Sequence, residues 1–123
     1  MEVRDATPAD GVAVRNVIDG AALELGVRDL DAAILAGDAS VAVESGRVLG
    51  ALVLDGEEIV AVAVRRRRRD QGIGRALVAT AREKRDRLFA TFDPGVLPFW
   101  ERVGFEVTGR TDVGRYRARS SHS

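Results

Sequence analysis

One stretch of the sequence, EEIVAVAVRRRRRDQGIGRALVAT (57–80), constrains the fold more than any other. From Ile59 to Val64 its residues are small or β-branched without a break, which is typical of a strand covered on both faces. Five arginines, Arg65 to Arg69, follow directly. Around Gly72 and Gly74 a helical spacing begins, carried by Ile73, Ala76, Leu77, Thr80 and Ala81. The stretch therefore predicts a central buried strand, a basic turn and a helix.

The turn between this strand and helix has the features of an anion site. Glycine lets the backbone approach a ligand closely, and a helix start offers unpaired N–H groups with a partial positive charge. Arg69 and its neighbours add guanidinium groups, whose forked donors match phosphate oxygens. A solvated run of surface charge is the alternative interpretation of these arginines, and it stays open for several of them.

Two common phosphate-binding motifs do not fit this turn. The dinucleotide fingerprint G-x-G-x-x-G requires a small residue where this chain has Leu77. The P-loop requires G-x-x-x-x-G-K-(S/T), and the sequence contains no Gly-Lys pair. What remains is the pattern Arg69-x-x-Gly72-x-Gly74 after a buried strand.

That pattern, within Val62 to Val78, resembles the pyrophosphate-binding signature (Q/R)-x-x-G-x-(G/A) of the GNAT superfamily of acyl-coenzyme A N-acyltransferases. A second segment, Phe99 to Val107 (FWERVGFEV), resembles the N-x-x-A-x-x-x-Y-E-x-x-G-F run of the same family. Asp93 stands at the Asn position of that run, and Trp100 replaces its Tyr. Two signatures separated by a predicted helix and strand are more specific than either alone.

The length of 123 residues predicts a single domain, which we place at residues 1–119, with a disordered tail at 120–123. The resemblance implies that this domain is GNAT-like. Its α/β (α+β) fold would be a GNAT-like mixed, mainly antiparallel sheet of six to seven strands. That sheet would be splayed between the fourth and fifth strands and flanked by about four helices. Local patterns predict strands at 3–6, 40–44, 47–55, 57–64, 88–92 and 115–119. Helices are predicted from Pro8 to about Gly26, with Ala21 and Leu25 on its apolar face, and at 30–36, 73–87 and 96–103.

Composition excludes several classes of function. The formal net charge of the 123 residues is zero, so the whole molecule is not built to attract nucleic acid or membrane. The absence of cysteine excludes disulfides, thiolate metal sites and a cysteine nucleophile, and we expect no metal site. No apolar run approaches the roughly 20 residues of a membrane span, and the first residues lack a signal-peptide pattern. We therefore expect a soluble, cytoplasmic protein, for which a homodimer is one open arrangement.

The resemblance also implies the residues that bind acetyl-coenzyme A, the expected acyl donor. The main chain of Val62, Ala63 and Val64 is expected to pair with the pantetheine arm. The pyrophosphate is expected on the glycine turn, with Arg69 in support and Arg66 or Arg67 near the ribose phosphate. The residues assigned to the turn are Gln71, Gly72, Ile73, Gly74 and Arg75. Asp93 and Trp100 complete the expected set, although turn formation and core packing are the competing interpretations for these two.

Glu58 is the candidate general base, since the resemblance places a catalytic carboxylate there. An exposed strand-start glutamate is the alternative. Trp100 has no ionisable hydroxyl to protonate a departing thiolate, and we assign no catalytic role to Tyr116 or His122. The expected reaction is direct acetyl transfer in a ternary complex to a primary amine of a small molecule or peptide. The alternatives are a non-catalytic acyl-coenzyme A binding or sensor module and, through the arginine run, a nucleic-acid binder.

Overall fold

The computed structural model describes residues 1–19 and 27–120, with the side chains of 27–29 left undescribed. In this part of the chain seven strands form one sheet, in the order β1-β2-β3-β4-β5-β7-β6. The strands are β1 (Glu2–Asp5), β2 (Ala39–Glu44), β3 (Arg47–Asp55), β4 (Glu58–Val64), β5 (Phe89–Phe92), β6 (Phe105–Arg110) and β7 (Tyr116–Ser120). Neighbours are antiparallel except β4 and β5, which are parallel.

Four α-helices flank the sheet within the described residues. They are α1 (Gly11–Asp19), α2 (Val27–Leu35), α3 (Ile73–Lys84) and α4 (Leu97–Arg102). None of these helices has the length and apolar character needed to cross a bilayer. The predicted mixed, mainly antiparallel sheet with about four helices is confirmed.

Two hydrophobic clusters cover the two faces of the sheet. One lies under α3 and α4 and draws residues from β3, β4, β5 and β7, including Leu52 and Ile59. The other lies under α1 and α2 and draws residues from β2, β3 and β4, including Val53 and Ala61. The fourth strand is therefore covered on both faces, as its unbroken apolar composition predicts.

A β-bulge puts Ile59 and Ala61, which are two positions apart in β4, on opposite faces of the sheet. Ile59 pairs with Leu54 of β3, but Ala61 pairs with Val53, so Val60 is an extra residue in the ladder. Such an insertion bends the strand and increases its twist. Beyond the bulge, β4 stays with β3 and turns away from β5.

The glycine at position 50 allows α3 to pack closely on β3. A Cβ at Gly50 would lie 2.9 Å from the carbonyl oxygen of Ala63 and 3.1 Å from Cγ2 of Ile73. The second contact fixes the beginning of α3 against the sheet. The start of the helix is thus positioned beside the end of β4.

Two predicted helix boundaries are shifted for identifiable reasons. The first turn after Thr7 is a 3-10 turn (Pro8–Asp10), and the α-helix begins at Gly11. The third helix ends at Lys84, short of Arg87, because Arg85 is extended and its guanidinium is held by Asp38 at 2.8 Å. The last strand runs one residue further than predicted, to Ser120. The predictions for Ala21, Leu25, Gly26 and His122 lie outside the described residues.

Candidate active site between the fourth and fifth strands

A cavity of about 720 Å³ opens where β4 and β5 separate. The two strands share one pair of partners, Glu58 and Phe89, and the Phe89 amide donates to the Glu57 carbonyl at 3.0 Å. Beyond that pair the strands diverge, and the cavity fills the space up to the beginning of α3. Its walls come from 59–64 of β4, from the turn and first residues of α3, from the end of β5, and from α4.

The edge of β4 that borders the cavity has main-chain groups without a strand partner. The Arg65 amide donates to the Leu49 carbonyl at 2.8 Å, which makes these two residues a hydrogen-bonded pair of the β3–β4 ladder. Alternation along an antiparallel pair then directs the main-chain groups of Ala63 to β3 and those of Val62 and Val64 to the cavity. All three residues line the cavity, as the sequence-based site requires, but the main-chain groups of Ala63 belong to the ladder.

The beginning of α3 supplies a second set of main-chain donors. Gly72 precedes the helix in a left-handed conformation (φ 82°), and the first helical bond runs from the Ala76 amide to the Gly72 carbonyl at 3.0 Å. The amides of Ile73, Gly74 and Arg75 therefore have no acceptor one helical turn earlier. They also carry the positive end of the helix dipole, so this corner of the cavity favours an anion.

The two glycines of the turn serve different purposes. At Gly72 a Cβ would meet nothing within 4 Å, so glycine there satisfies the positive φ and leaves open space. At Gly74 a Cβ would lie 2.9 Å from Cε1 of Phe99, a residue of α4. Gly74 thus makes room for an aromatic ring, a packing role that the motif alone does not reveal.

The five arginines divide into anchored and exposed side chains. Arg65 donates to the Val48 carbonyl at 2.6 Å, and Arg69 donates to the Val64 carbonyl at 3.3 Å. Arg68 donates to Gln71 and forms an ion pair with Glu44 at 2.8 Å. Arg68 and Arg69 line the cavity. Arg66 and Arg67 are exposed, in keeping with the charge-run interpretation for these two.

The side chains of Gln71 and Arg75, the other residues predicted for the turn, make hydrogen bonds within the protein. Gln71 does not line the cavity, and its amide oxygen accepts a hydrogen bond from Arg68 at 2.8 Å. Arg75 does line it, and its guanidinium donates to the Arg102 carbonyl at 3.2 Å. That bond ties the first turn of α3 to the end of α4.

Glu58 lies at the closed end of the cleft. It is half-buried, whereas Glu57 is exposed. Ile59, the next residue, faces the cluster under α3, so Glu58 faces the opposite side of the sheet, toward α1. The lining of the cavity begins with Ile59, one residue beyond Glu58.

Trp100 is both a core residue and part of the cavity wall. Its ring stacks on Phe92 with centroids 5.2 Å apart and meets Phe105 edge-on at 4.9 Å. Only 7% of its surface is exposed. The side chain therefore presents an apolar wall where the family pattern has a phenol.

Asp93 ends β5 and caps the turn that follows. Its carboxylate accepts a hydrogen bond from the Gly95 amide at 2.9 Å, which supports the turn-forming interpretation. The residue also lines the cavity. The structure therefore places Asp93 in the cleft with one carboxylate oxygen already engaged.

Sequence reasoning missed several residues of the cleft. Thr91 and Arg115 line it together, and Arg115 donates to the Thr91 carbonyl at 3.1 Å. They meet because β7 pairs with β5, which is not its neighbour in the sequence. No local pattern around Arg115 signals this position.

Comparisons with known proteins agree with this geometry. A family model described as "Acetyltransferase (GNAT) domain" matches residues 36–107, more than half of the chain. None of the curated protein sequences matches the chain.

Solved structures share the fold at low sequence identity. Rv2747 from Mycobacterium tuberculosis, solved with coenzyme A, has a TM-score of 0.83 at 22% identity over 98% of each chain. PaiA N-acetyltransferase from Thermoplasma acidophilum, also with coenzyme A, has a TM-score of 0.80 at 14% identity over 97% of each chain.

N-acetylglutamate synthase from Neisseria gonorrhoeae, complexed with coenzyme A and N-acetyl-glutamate, has a TM-score of 0.82 at 20% identity. The match covers 97% of this chain and 34% of the synthase, so the chain spans about a third of that protein. The splayed strands, the glycine turn and the family match lead to one conclusion: this chain belongs to the GNAT acetyltransferase family.

Proposed function

We propose that the protein is an acetyl-coenzyme A-dependent N-acetyltransferase that acetylates a primary amine by direct attack in a ternary complex. The proposal rests on one observation: two sets of main-chain hydrogen-bond donors line the same cavity. Val62 and Val64 offer an edge that pairs with no other described strand, the Val64 carbonyl accepting only from the Arg69 side chain, and the beginning of α3 offers free amides. Structures of the same fold from M. tuberculosis and T. acidophilum contain coenzyme A.

The residues present fit the coenzyme in both chemistry and order along the cleft. The amides of Ile73, Gly74 and Arg75 would hold the pyrophosphate, with Arg69 at the rim. Val62 and Val64 would pair with the amide groups of the pantetheine arm as an added strand does. The open space above Gly72 admits the diphosphate without a side chain in its path.

Each remaining residue has a proposed task at the reacting end. When bound, acetyl-coenzyme A supplies the acetyl group as a thioester. Trp100 and Phe92 would form the apolar wall that excludes water from this end of the cleft. Glu58 would remove a proton from the acceptor ammonium, directly or through water, and the neutral amine would form a C–N bond at the thioester carbonyl. The C–S bond would break, coenzyme A would leave as a thiolate that takes a proton from solvent, and the new amide nitrogen would release its second proton to water. Main-chain N–H groups at the β4 edge would stabilise the charge that develops on the carbonyl oxygen.

A non-catalytic acyl-coenzyme A binding module is the second candidate, and one observation favours it. Trp100 occupies the position of the family's tyrosine and is packed between Phe92 and Phe105. An indole cannot protonate a departing thiolate. A module would bind acetyl-coenzyme A and release no thiol with any amine.

Calorimetry with acetyl-coenzyme A and a thiol-release screen of primary amines test the proposal together. Gly72→Asp should weaken coenzyme binding about 100-fold, because it puts a negative charge at the helix start. Gly72→Asn is the matched control, since it is neutral, similar in size and equally tolerant of a positive φ. We expect Asn to cost about tenfold or less. Equal binding by the two variants would contradict the anion site, and binding without thiol release would favour the module.

A further inference from the structure

We propose that the acceptor amine carries a carboxylate group, which is recognised by an arginine row on β7. The row is formed by Arg115, just before the strand, and by Arg117 and Arg119 within it. This inference rests on the proposed function, because it concerns the second substrate of the same cleft. It names the acceptor's chemistry, which the family match leaves open.

The pairing of β7 places the arginine row on one face of the sheet. Arg117 is opposite Thr91 of β5, and Arg119 is opposite Phe89. Ala118, between them, is fully buried in the cluster under α3. Alternation therefore directs the arginines to the opposite face, which is the face toward which Glu58 points.

One guanidinium group of the row reaches the cleft, and a second lies over the residue that pairs with Glu58. Arg115 reaches across β5 and donates to the Thr91 carbonyl at 3.1 Å, and both residues line the cavity. The guanidinium carbon of Arg117 lies 5.8 Å from the ring centroid of Phe89, the residue that pairs with Glu58. The row therefore runs from the cavity wall at Arg115 to the strand pair that closes the cleft, where Arg119 lies opposite Phe89.

The guanidinium groups of Arg115 and Arg117 keep their charge available for a ligand, whereas Arg119 lies opposite Glu106 of β6. Of the described residues, five arginine or lysine side chains form ion pairs, and none of them belongs to the row. All three arginines are exposed. The cluster under α1 and α2 includes no described residue of β5 or β7, so in the described part of the chain it does not cover this face.

The negative charge of Glu58 and the positive charges of the arginine row would orient an acceptor that has both an ammonium and a carboxylate. Glu58 would attract the ammonium, and the arginine row would bind the carboxylate through paired N–H donors. A polyamine or a lysine side chain without a nearby carboxylate would be repelled by the row. β7 lies between β5 and β6, so its arginines do not protect an open sheet edge.

Matched amines that differ by one carboxylate test the inference on the full chain. The pairs are β-alanine with propylamine and glycine with glycinamide, and a C-terminally amidated peptide beginning Asp-Glu with its amidated Asn-Gln counterpart distinguishes a peptide acceptor from a free amino acid. We expect the carboxylate-bearing member to have at least tenfold higher kcat/KM. If no turnover is observed, the affinities of the two members of each pair for the coenzyme A-loaded protein give the same comparison.

Arg117→Gln should lower kcat/KM or affinity for carboxylate-bearing acceptors by about 10- to 100-fold, mainly through KM, and Arg117→Lys should restore part of the loss. Arg110→Gln is the matched control. Arg110 is an exposed arginine of β6 whose guanidinium lies 5.3 Å from the Tyr116 ring, on the other face of the same strands. Arg110→Gln should change neither kcat/KM nor the affinity for carboxylate-bearing acceptors more than twofold.

The outcomes separate this inference from the proposed function. Normal coenzyme binding with equal or better use of the amines that lack the carboxylate would overturn the inference alone. Equal losses in Arg117→Gln and Arg110→Gln would also overturn it, because a general effect of surface charge would explain both. Absence of acetyl-coenzyme A binding in calorimetry would overturn the proposed function itself.

Discussion

The two halves of the sheet are built differently on either side of one seam, the junction of β4 and β5 at Glu58 and Phe89. From β1 to β4 the sheet has helices and buried clusters on both faces, and β3 and β4 pair along their length. From β5 to β6 the buried cluster contacts one face, and β4 meets β5 at a single pair. The cavity lies between the halves because β4 follows the first half after its bulge, which leaves one edge of the strand without a partner among the described strands.

The charges follow the same division. Among the described residues, each ion pair joins partners from the first half, its helices or the turn before α3, as in Lys84 with Asp5 and Arg85 with Asp38. The arginines at 115, 117 and 119 in the second half form no such pair. The ion pairs of the described residues therefore support the first half of the sheet, whereas the arginines of the second half belong to none of them.

The largest expected effect concerns the seam itself. Glu58→Gln should lower kcat about 100-fold or more, because a positioned base contributes at least that much to proton transfer. Coenzyme affinity should change little, since the Glu58 side chain faces away from the α3 cluster and precedes the lining residues. Steady-state kinetics and calorimetry measure the two effects separately.

Glu57→Gln is the control for that change, because Glu57 is the exposed residue of the turn just before β4. Its kcat should stay within about twofold of the wild type. Turnover by Glu58→Gln at the wild-type rate would remove Glu58 from the mechanism and leave the seam without an assigned base.

A glycine in each half offers a direct test of their packing. Gly50→Ala should cost about 1–3 kcal/mol of unfolding free energy, because its Cβ would lie 2.9 Å from a backbone oxygen that cannot move without shifting β4. Gly109→Ala in β6 should change stability by less than about 0.5 kcal/mol, since nothing lies within 4 Å of its Cβ. Urea unfolding of both variants measures the difference. Similar losses would contradict the contrast in packing between the halves.

The smallest expected effect is a pH dependence at the start of α1. Hydrogen bonds from the Arg4 guanidinium and the Thr7 amide lower the pKa of Asp10 to about 2, below its ordinary value of 3.8. Because the folded pKa is the lower one, the carboxylate stabilises the fold above about pH 4, and this contribution is lost as pH falls toward 2.

Asp10→Asn should therefore cost about 1–2 kcal/mol of unfolding free energy at pH 7, a value reduced because Arg4 is partly exposed. It should also reduce the loss of unfolding free energy between about pH 4 and pH 2, which we call the acid limb. Asp112→Asn, in the exposed turn before β7, is the control and should leave the acid limb unchanged. An acid limb that persists in Asp10→Asn would show that other carboxylates produce it.

Local patterns predict much of the first half and the turn, and nonlocal pairing explains what they miss. The hairpin of β2 and β3, the strand from Glu58 and the helix start at Ile73 follow from composition and spacing that neighbouring residues carry. The bulge at Val60 could not be predicted, because it depends on the register against β3. The place of β7 between β5 and β6 depends on contacts between distant residues, so the arginine row became visible only in the fold.

The central claim is that the unpaired edge of β4 and the first amides of α3 form one binding surface for acetyl-coenzyme A. Amide hydrogen exchange with and without the coenzyme tests it residue by residue. We expect exchange at Val62 and Val64 and at 73–75 to slow at least tenfold more than at Ala61 and Ala63, whose amides already belong to the ladder with β3. Uniform slowing at all of these amides, or none at saturating coenzyme, would contradict the claim.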